Sequence, residues 1–172
     1  MEKNENTSLQ APKNDSFNLT TLAEHKDELN IEHYLYEHHT QYYETEQSGF
    51  IHHSNYIRWF EELREDVLNK MGINISLLES KGIRIPITSV SCDYINPVKY
   101  PDIVLIKFRI SNFTDTEFTL NYQIINKRTS TLCATGETKH RFMGRNGTEL
   151  VLSRDYPDYY FILHKYLVDK DD

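Results

Sequence analysis

The sequence predicts an α+β domain in which a curved, five-stranded antiparallel sheet wraps around one long central helix. Three observations lead there. Apolar residues at Ile57, Phe60, Leu63, Val67 and Met71 step by three and four, the signature of one helix face turned towards a core. A Tyr- and Thr-rich segment precedes that helix, and four strand-like runs follow it. One helix cannot hide its stripe from water alone, so a sheet wrapped around it is the simplest arrangement that buries both.

The elements follow in order. Residues 1–32 are rich in Asn, Lys, Glu, Ser and Thr and too poor in apolar residues for a core, so they read as a polar tail preceding a domain over 33–172. Within the tail, Thr21 and Glu24 have capping-box spacing for a short helix over Leu22 to Leu29. From Tyr34, "YLYEHHTQYYETE" favours an extended strand. The long helix takes Ser54 as its expected N-cap and Gly72 as the residue that ends it. "SLLESKG" adds a helical turn or two. Strands are expected over Ile83 to Ile95, Ile103 to Phe113, Glu117 to Asn126 and Leu132 to Met143. The breaks "NPVKYPD", "TDT" and "KRTST" carry turn chemistry, and their short lengths favour antiparallel neighbours. "YPDYYFILHKYLV" is apolar enough to pack as a short C-terminal helix.

Composition excludes several function classes. A chain of 172 residues supports one domain with a real core. Its formal charge of −7 is the wrong sign for a protein that lives on a phosphate backbone or an anionic bilayer, so neither nucleic acid nor a membrane is an expected partner. The first residues lack the apolar region of a secretion signal, and no apolar run approaches the roughly eighteen residues of a membrane span. A cytoplasmic location is expected. Cys92 and Cys133 match no zinc or redox spacing and read as reduced core thiols. Eight histidines invite a metal, but neighbours such as His38 and His39 on a strand point to opposite faces. No metal and no cofactor is expected, and nucleophile-elbow and phosphate-loop motifs are absent.

The stretch "ETEQSGFIHHSNYIRWFEELR", Glu44 to Arg64, carries the strongest signal. It resembles the signature of the hotdog-fold acyl-CoA thioesterases of the 4-hydroxybenzoyl-CoA thioesterase type, approximately Asp-x-Asp-x-x-Gly-x-Val-x-His-x-x-Tyr, followed by an aromatic-rich helix continuing Phe-Glu-x-x-Arg. "YINPVKYPD" is similar to that family's Tyr-x-x-Pro-x-x-Tyr-Gly-Asp, and "LCATGETKH" to its Leu-x-Ala-x-Gly strand. The resemblance runs from Tyr34 to Met143. It implies a hotdog fold, a homodimer or homotetramer with the active site between subunits, and hydrolysis of an acyl-CoA or acyl carrier protein thioester. Two positions depart from the pattern: Glu46 stands where the family has its catalytic Asp, and Pro101 replaces the glycine of Tyr-Gly-Asp.

Thioester hydrolysis needs a nucleophile or base beside the carbonyl carbon and donors for the developing oxyanion. By resemblance, Glu46 is the nucleophile or general base, Gly49 is the hinge that lets the backbone turn, and the His53 amide at the helix start polarises the carbonyl. Ser54, Asn55, Tyr56 and Trp59 are substrate-binding candidates, although the aromatic run also reads as core. Glu61 and Glu62 on the helix are alternative bases, with Glu61 and Arg64 spaced for an ordinary ion pair. Lys139, Arg141 and Arg145 are candidate partners for coenzyme A phosphates, against a reading as solvated edge residues. His140 is assigned to structure. A non-catalytic acyl-CoA or lipid-binding module is the alternative, because Glu in place of Asp moves the carboxylate by up to ~1.5 Å.

Overall fold

The computed structural model describes residues 34–167, with side chains through Lys165; the capping-box helix expected in the tail lies outside the described residues. The strands are β1 (Tyr36–His39), β2 (Ile87–Tyr94), β3 (Ile103–Phe113), β4 (Glu117–Asn126) and β5 (Leu132–Arg141). The helices are α1 (His53–Lys70), α2 (Ile75–Ser80), α3 (Leu152–Asp155) and α4 (Pro157–Leu167). All strand pairings are antiparallel, in the order β1-β3-β4-β5-β2.

Helix α1 carries the expected stripe, shifted slightly in its widest part. Tyr56, Trp59, Phe60, Leu63, Val67 and Leu68 are buried, whereas Ile57 is only half-buried. They meet an inward row from the sheet that includes Val104, Ile106, Leu120, Tyr122, Ile124 and Ala134. Phe60 stacks on Tyr122 of β4 with ring centroids 4.1 Å apart, and Gly136 of β5 lies directly beside Tyr122 in the ladder. Burying these side chains contributes roughly 1.5–3 kcal/mol each.

Both ends of α1 are defined by local chemistry. Gly72 adopts φ 80°, and the amides of Gly72 and Ile73 donate to Asn69 O and Leu68 O, the paired bonds of a Schellman motif. The N-cap differs from expectation: it is His52, whose Nδ1 accepts from the Ser54 amide, so Ser54 lies inside the first turn. The imidazole substitutes for the usual hydroxyl because it also takes a bond from the Ser54 side chain at 2.9 Å.

Three further expectations are corrected. Strand β1 ends at His39, since the Glu44 carboxylate folds back on the Gln41 amide at 2.7 Å and turns the chain into a 3-10 turn over Tyr42–Glu44. Strand β2 begins at Ile87, later than expected, because Pro86 has no amide to continue the ladder; Arg84 makes only an isolated bridge to Met143. The segment "NPVKYPD" is not a hairpin turn. It carries the chain from β2 at one edge to β3 beside β1, passing the end of the sheet, where the Asn96 amide donates to Cys133 O and Val98 O accepts from Ile51.

Candidate active site

The chain turns sharply just before α1. Glu46 and Gly49 close a tight turn, with the Gly49 amide donating to Glu46 O at 2.9 Å and the Glu46 amide to Phe50 O at 2.8 Å. Gly49 has φ 81°, a left-handed conformation that disfavours any side chain. A Cβ there would meet nothing within 4 Å, so the glycine serves the turn rather than a close contact. The turn presents the Glu46 side chain to solvent, with Ser48 Oγ donating to its Oε1 at 2.6 Å.

Glu46 lines a cleft of about 260 Å³ together with Phe50, His53, Tyr56, Tyr94 and Ile95. The first turn of α1 forms one wall. Of its leading amides, Ser54 and Asn55 donate to His52, whereas the His53 amide meets no acceptor among the described residues. An unpaired N–H at a helix N-terminus, reinforced by the helix dipole, suits a developing negative charge. The Tyr94 hydroxyl donates to His53 O at 3.0 Å and ties the opposite strand to this turn. Partial burial, reinforced by a hydrogen bond with Cys92, raises the half-exposed Tyr94 phenol, and burial likewise raises Tyr56. Both phenols therefore stay protonated at neutral pH and leave Glu46 as the carboxylate of the cleft.

The remaining sequence-predicted residues separate into two groups. Tyr56 reaches the cleft, but Trp59 does not: it is fully buried and spends its indole N–H on Glu44 Oε1 at 2.8 Å. Asn55 is buried and donates to Glu44 O, and Ser54 is bound to His52, so both brace the loop. Glu61 is paired with Arg64, and Glu62 lies 3.1 Å from His38 Nδ1 and accepts from the Tyr36 hydroxyl. Lys139 pairs with Glu137 and Arg141 with Glu117, while Arg145 donates to Ser80 O. His140 is buried against Phe118 and bonded to Thr138, a place in the core. Among the described residues no group of three or more His, Cys, Asp or Glu converges as a metal set.

Glu44 is the participant that the sequence reading passed over. It is only 5% exposed and accepts bonds from the Gln41 amide, the Trp59 indole and His38 Nε2. His38 in turn stacks on Trp59 and bridges to Glu62. The only hint in the sequence is that the motif contains two acids; which one folds inward depends on Trp59, fifteen residues away.

Comparison with known proteins gives the family of the chain. A family model described as the thioesterase-like superfamily matches residues 41–154. An esterase-named protein of Aquifex aeolicus is 31% identical over 114 residues, spanning 66% of this chain and 87% of that one. A 1,4-dihydroxy-2-naphthoyl-CoA hydrolase of Crocosphaera subtropica is 27% identical over 99 residues, 56% of this chain and 72% of that one. Among solved structures, a DHNA-CoA thioesterase from Staphylococcus aureus superposes with a TM-score of 0.72 at 29% identity, covering 76% of this chain and 88% of that one.

Proposed function

Because this chain belongs to the thioesterase-like superfamily, with a hotdog fold and thioester hydrolysis as its activity, we propose that it cleaves a compact, aromatic acyl-CoA with Glu46 as general base. The observation that carries this reading is the pairing, across one cleft, of an unburied carboxylate with the unpaired His53 amide. Solvent reaches Glu46 directly. The carboxylate takes a proton from a water as the water oxygen adds to the thioester carbon, and the carbonyl oxygen gains negative charge against the His53 N–H. Collapse of that intermediate expels the coenzyme A thiolate, which recovers the proton from Glu46. A single oxyanion donor of this kind contributes about 3 kcal/mol in the transition state.

The substrate class rests on the lining of the cleft. The aromatic faces of Phe50, Tyr56 and Tyr94 suit a flat acyl group. The names of the relatives from Crocosphaera subtropica and Staphylococcus aureus, a dihydroxynaphthoyl-CoA hydrolase and a DHNA-CoA thioesterase, point the same way. The catalytic unit is a homodimer in this reading. The outer edge of β2 is unpaired among the described residues and exposes Ile87, Val90 and Tyr94, a surface that a second copy would cover beside the cleft.

The test is thiol release from a panel of aromatic, short and long acyl-CoAs by the wild-type protein and by Glu46→Gln, Glu61→Gln and Glu62→Gln. Loss of turnover of about 100-fold or more is expected in Glu46→Gln alone, with the fold intact by circular dichroism. Full activity in that variant would remove Glu46 from the chemistry. Binding without release on every substrate would instead make the protein an acyl-CoA-binding module.

A further inference from the structure

A second surface adjoins the cleft and has no assigned role. Phe50, which lines the cleft, also carries the Lys99 ammonium over its ring at 5.1 Å from the centroid. Beside Lys99, Tyr100 packs edge-on against Tyr42 with ring centroids 5.9 Å apart and planes at 80°. These rings are well exposed, Tyr42 at 76% and Tyr100 at 48%. Exposed aromatic side chains gathered next to a cation form an interaction surface rather than scattered surface residues.

The backbone beneath this shelf is fixed. Thr40, 3% exposed, donates through its hydroxyl to Lys99 O and Asp102 O, and its amide donates to Asp102 O. The Asp102 carboxylate turns back to accept the Lys99 amide at 3.0 Å, and Phe50 bridges to Lys99 through the main chain. The main chain that carries Lys99 and Tyr100 is therefore held in place.

The charge environment of Lys99 differs from that of the ion-paired basic residues. Lys139, Arg141, Lys127 and Lys70 are each paired with a carboxylate. No carboxylate lies within ion-pair distance of Lys99 Nζ among the described residues, and its described contact is the Phe50 ring. In a chain of formal charge −7, an unneutralised ammonium over an aromatic ring at the cleft mouth is a site that attracts an anion.

We propose that this shelf binds the phosphorylated adenosine end of the coenzyme A substrate, with adenine stacked on one ring of the Tyr42 and Tyr100 pair and a phosphate drawn to Lys99. The proposal rests on the acyl-CoA reading above and supplies the handle of the molecule, as the cleft supplies the place for its thioester. It uses two features that a nucleotide requires, exposed aromatic rings at Tyr42 and Tyr100 and a cation at Lys99, the residue next to Tyr100 in the chain.

The experiment is calorimetric titration with adenosine 3′,5′-bisphosphate, which carries no thioester, into the wild-type protein, Lys99→Gln and Tyr100→Leu. Saturable binding that weakens about 5-fold or more in each variant is expected, together with a steeper loss in salt for the wild type than for Lys99→Gln. In parallel, Lys99→Gln should raise KM for an acyl-CoA about 5-fold and leave an S-acyl-N-acetylcysteamine unchanged. Absence of saturable nucleotide binding, or equal binding in the wild type and both variants, overturns the proposal. If no acyl-CoA releases thiol while nucleotide binding still depends on Lys99 and Tyr100, the hydrolytic reading fails and the shelf stands.

Discussion

Gly136 lies in β5 opposite Tyr122 on one side and Cys92 on the other, directly under the ring of Phe60. A Cβ at this position would stand 2.4 Å from Phe60 Cε2 and Cζ and 3.1 Å from Ser91 O. Carbon atoms rest at ~3.5–4.0 Å, so the ring edge would have to retreat by more than about 1 Å. Its freedom to do so is small: Phe60 is 1% exposed and stacked on Tyr122 with planes 13° apart. Gly136→Ala is therefore an overpacking substitution and should cost ~1–3 kcal/mol. For a chain of this size that lowers Tm by about 2–12 °C. Urea unfolding of Gly136→Ala, Phe60→Leu and the double variant checks the cause as well as the size. The cost of alanine should shrink by at least ~0.5 kcal/mol once the ring is gone. An equal cost in both backgrounds, or no loss in the first, would refute the argument from ring contact.

Two further outcomes follow from buried polar groups. Burial, with the Arg64 charge acting in the same direction, drives His140 down to about 3, so it remains neutral in the folded protein through mild acid. The unfolded chain takes up that proton near pH 6.5, so this group leaves stability unchanged above that point and removes it as pH falls from about 6.5 towards 3. The expected loss is about 2 kcal/mol between pH 7 and pH 5. Urea midpoints at the two pH values should converge in His140→Leu; an unchanged pH dependence in that variant would assign the effect elsewhere. Glu44→Ala should destabilise by about 3 kcal/mol or more, because it strips the acceptor from Trp59 Nε1, the Gln41 amide and His38 together. A loss below about 1 kcal/mol in guanidinium unfolding would mean that water replaces the carboxylate at no cost.

What the sequence disclosed was whatever depends on short-range pattern. The helix stripe, the residue ends of β3 and β4, and the glycine that terminates α1 all follow from spacing or from one backbone conformation, and each lies where expected. What it withheld depends on contacts between distant segments. Nothing local distinguishes "NPVKYPD" from a hairpin turn; its role as a crossing is set by the bonds of Asn96 to β5 and Val98 to Ile51. Ser54 had the better cap chemistry, but His52 arrives first because the backbone leaves the turn extended there, with φ −64° and ψ 134°. Trp59 read as core or as a wall of the acyl pocket from its position in an aromatic run; the structure buries it, and a carboxylate from the preceding loop claims its indole.

That loop explains why the motif holds two acids rather than one. A carboxylate that reacts with water or substrate must be accessible and lightly bonded, but a loop carrying such a group has little to hold it in register with the helix start. Glu44 supplies the hold: its side chain ties the loop to α1 through Trp59 and to β1 through His38, and its main-chain oxygen receives both the His52 amide and the Asn55 side chain. Glu46, two residues on and past the anchored point, has one described side-chain partner, Ser48. Under the proposed mechanism, precision at the site comes from the buried acid and reactivity from the exposed one, and exchanging their environments would forfeit both. In that proposal the same division lets a Glu serve where the family has Asp, since the longer side chain departs from a main chain that is already fixed.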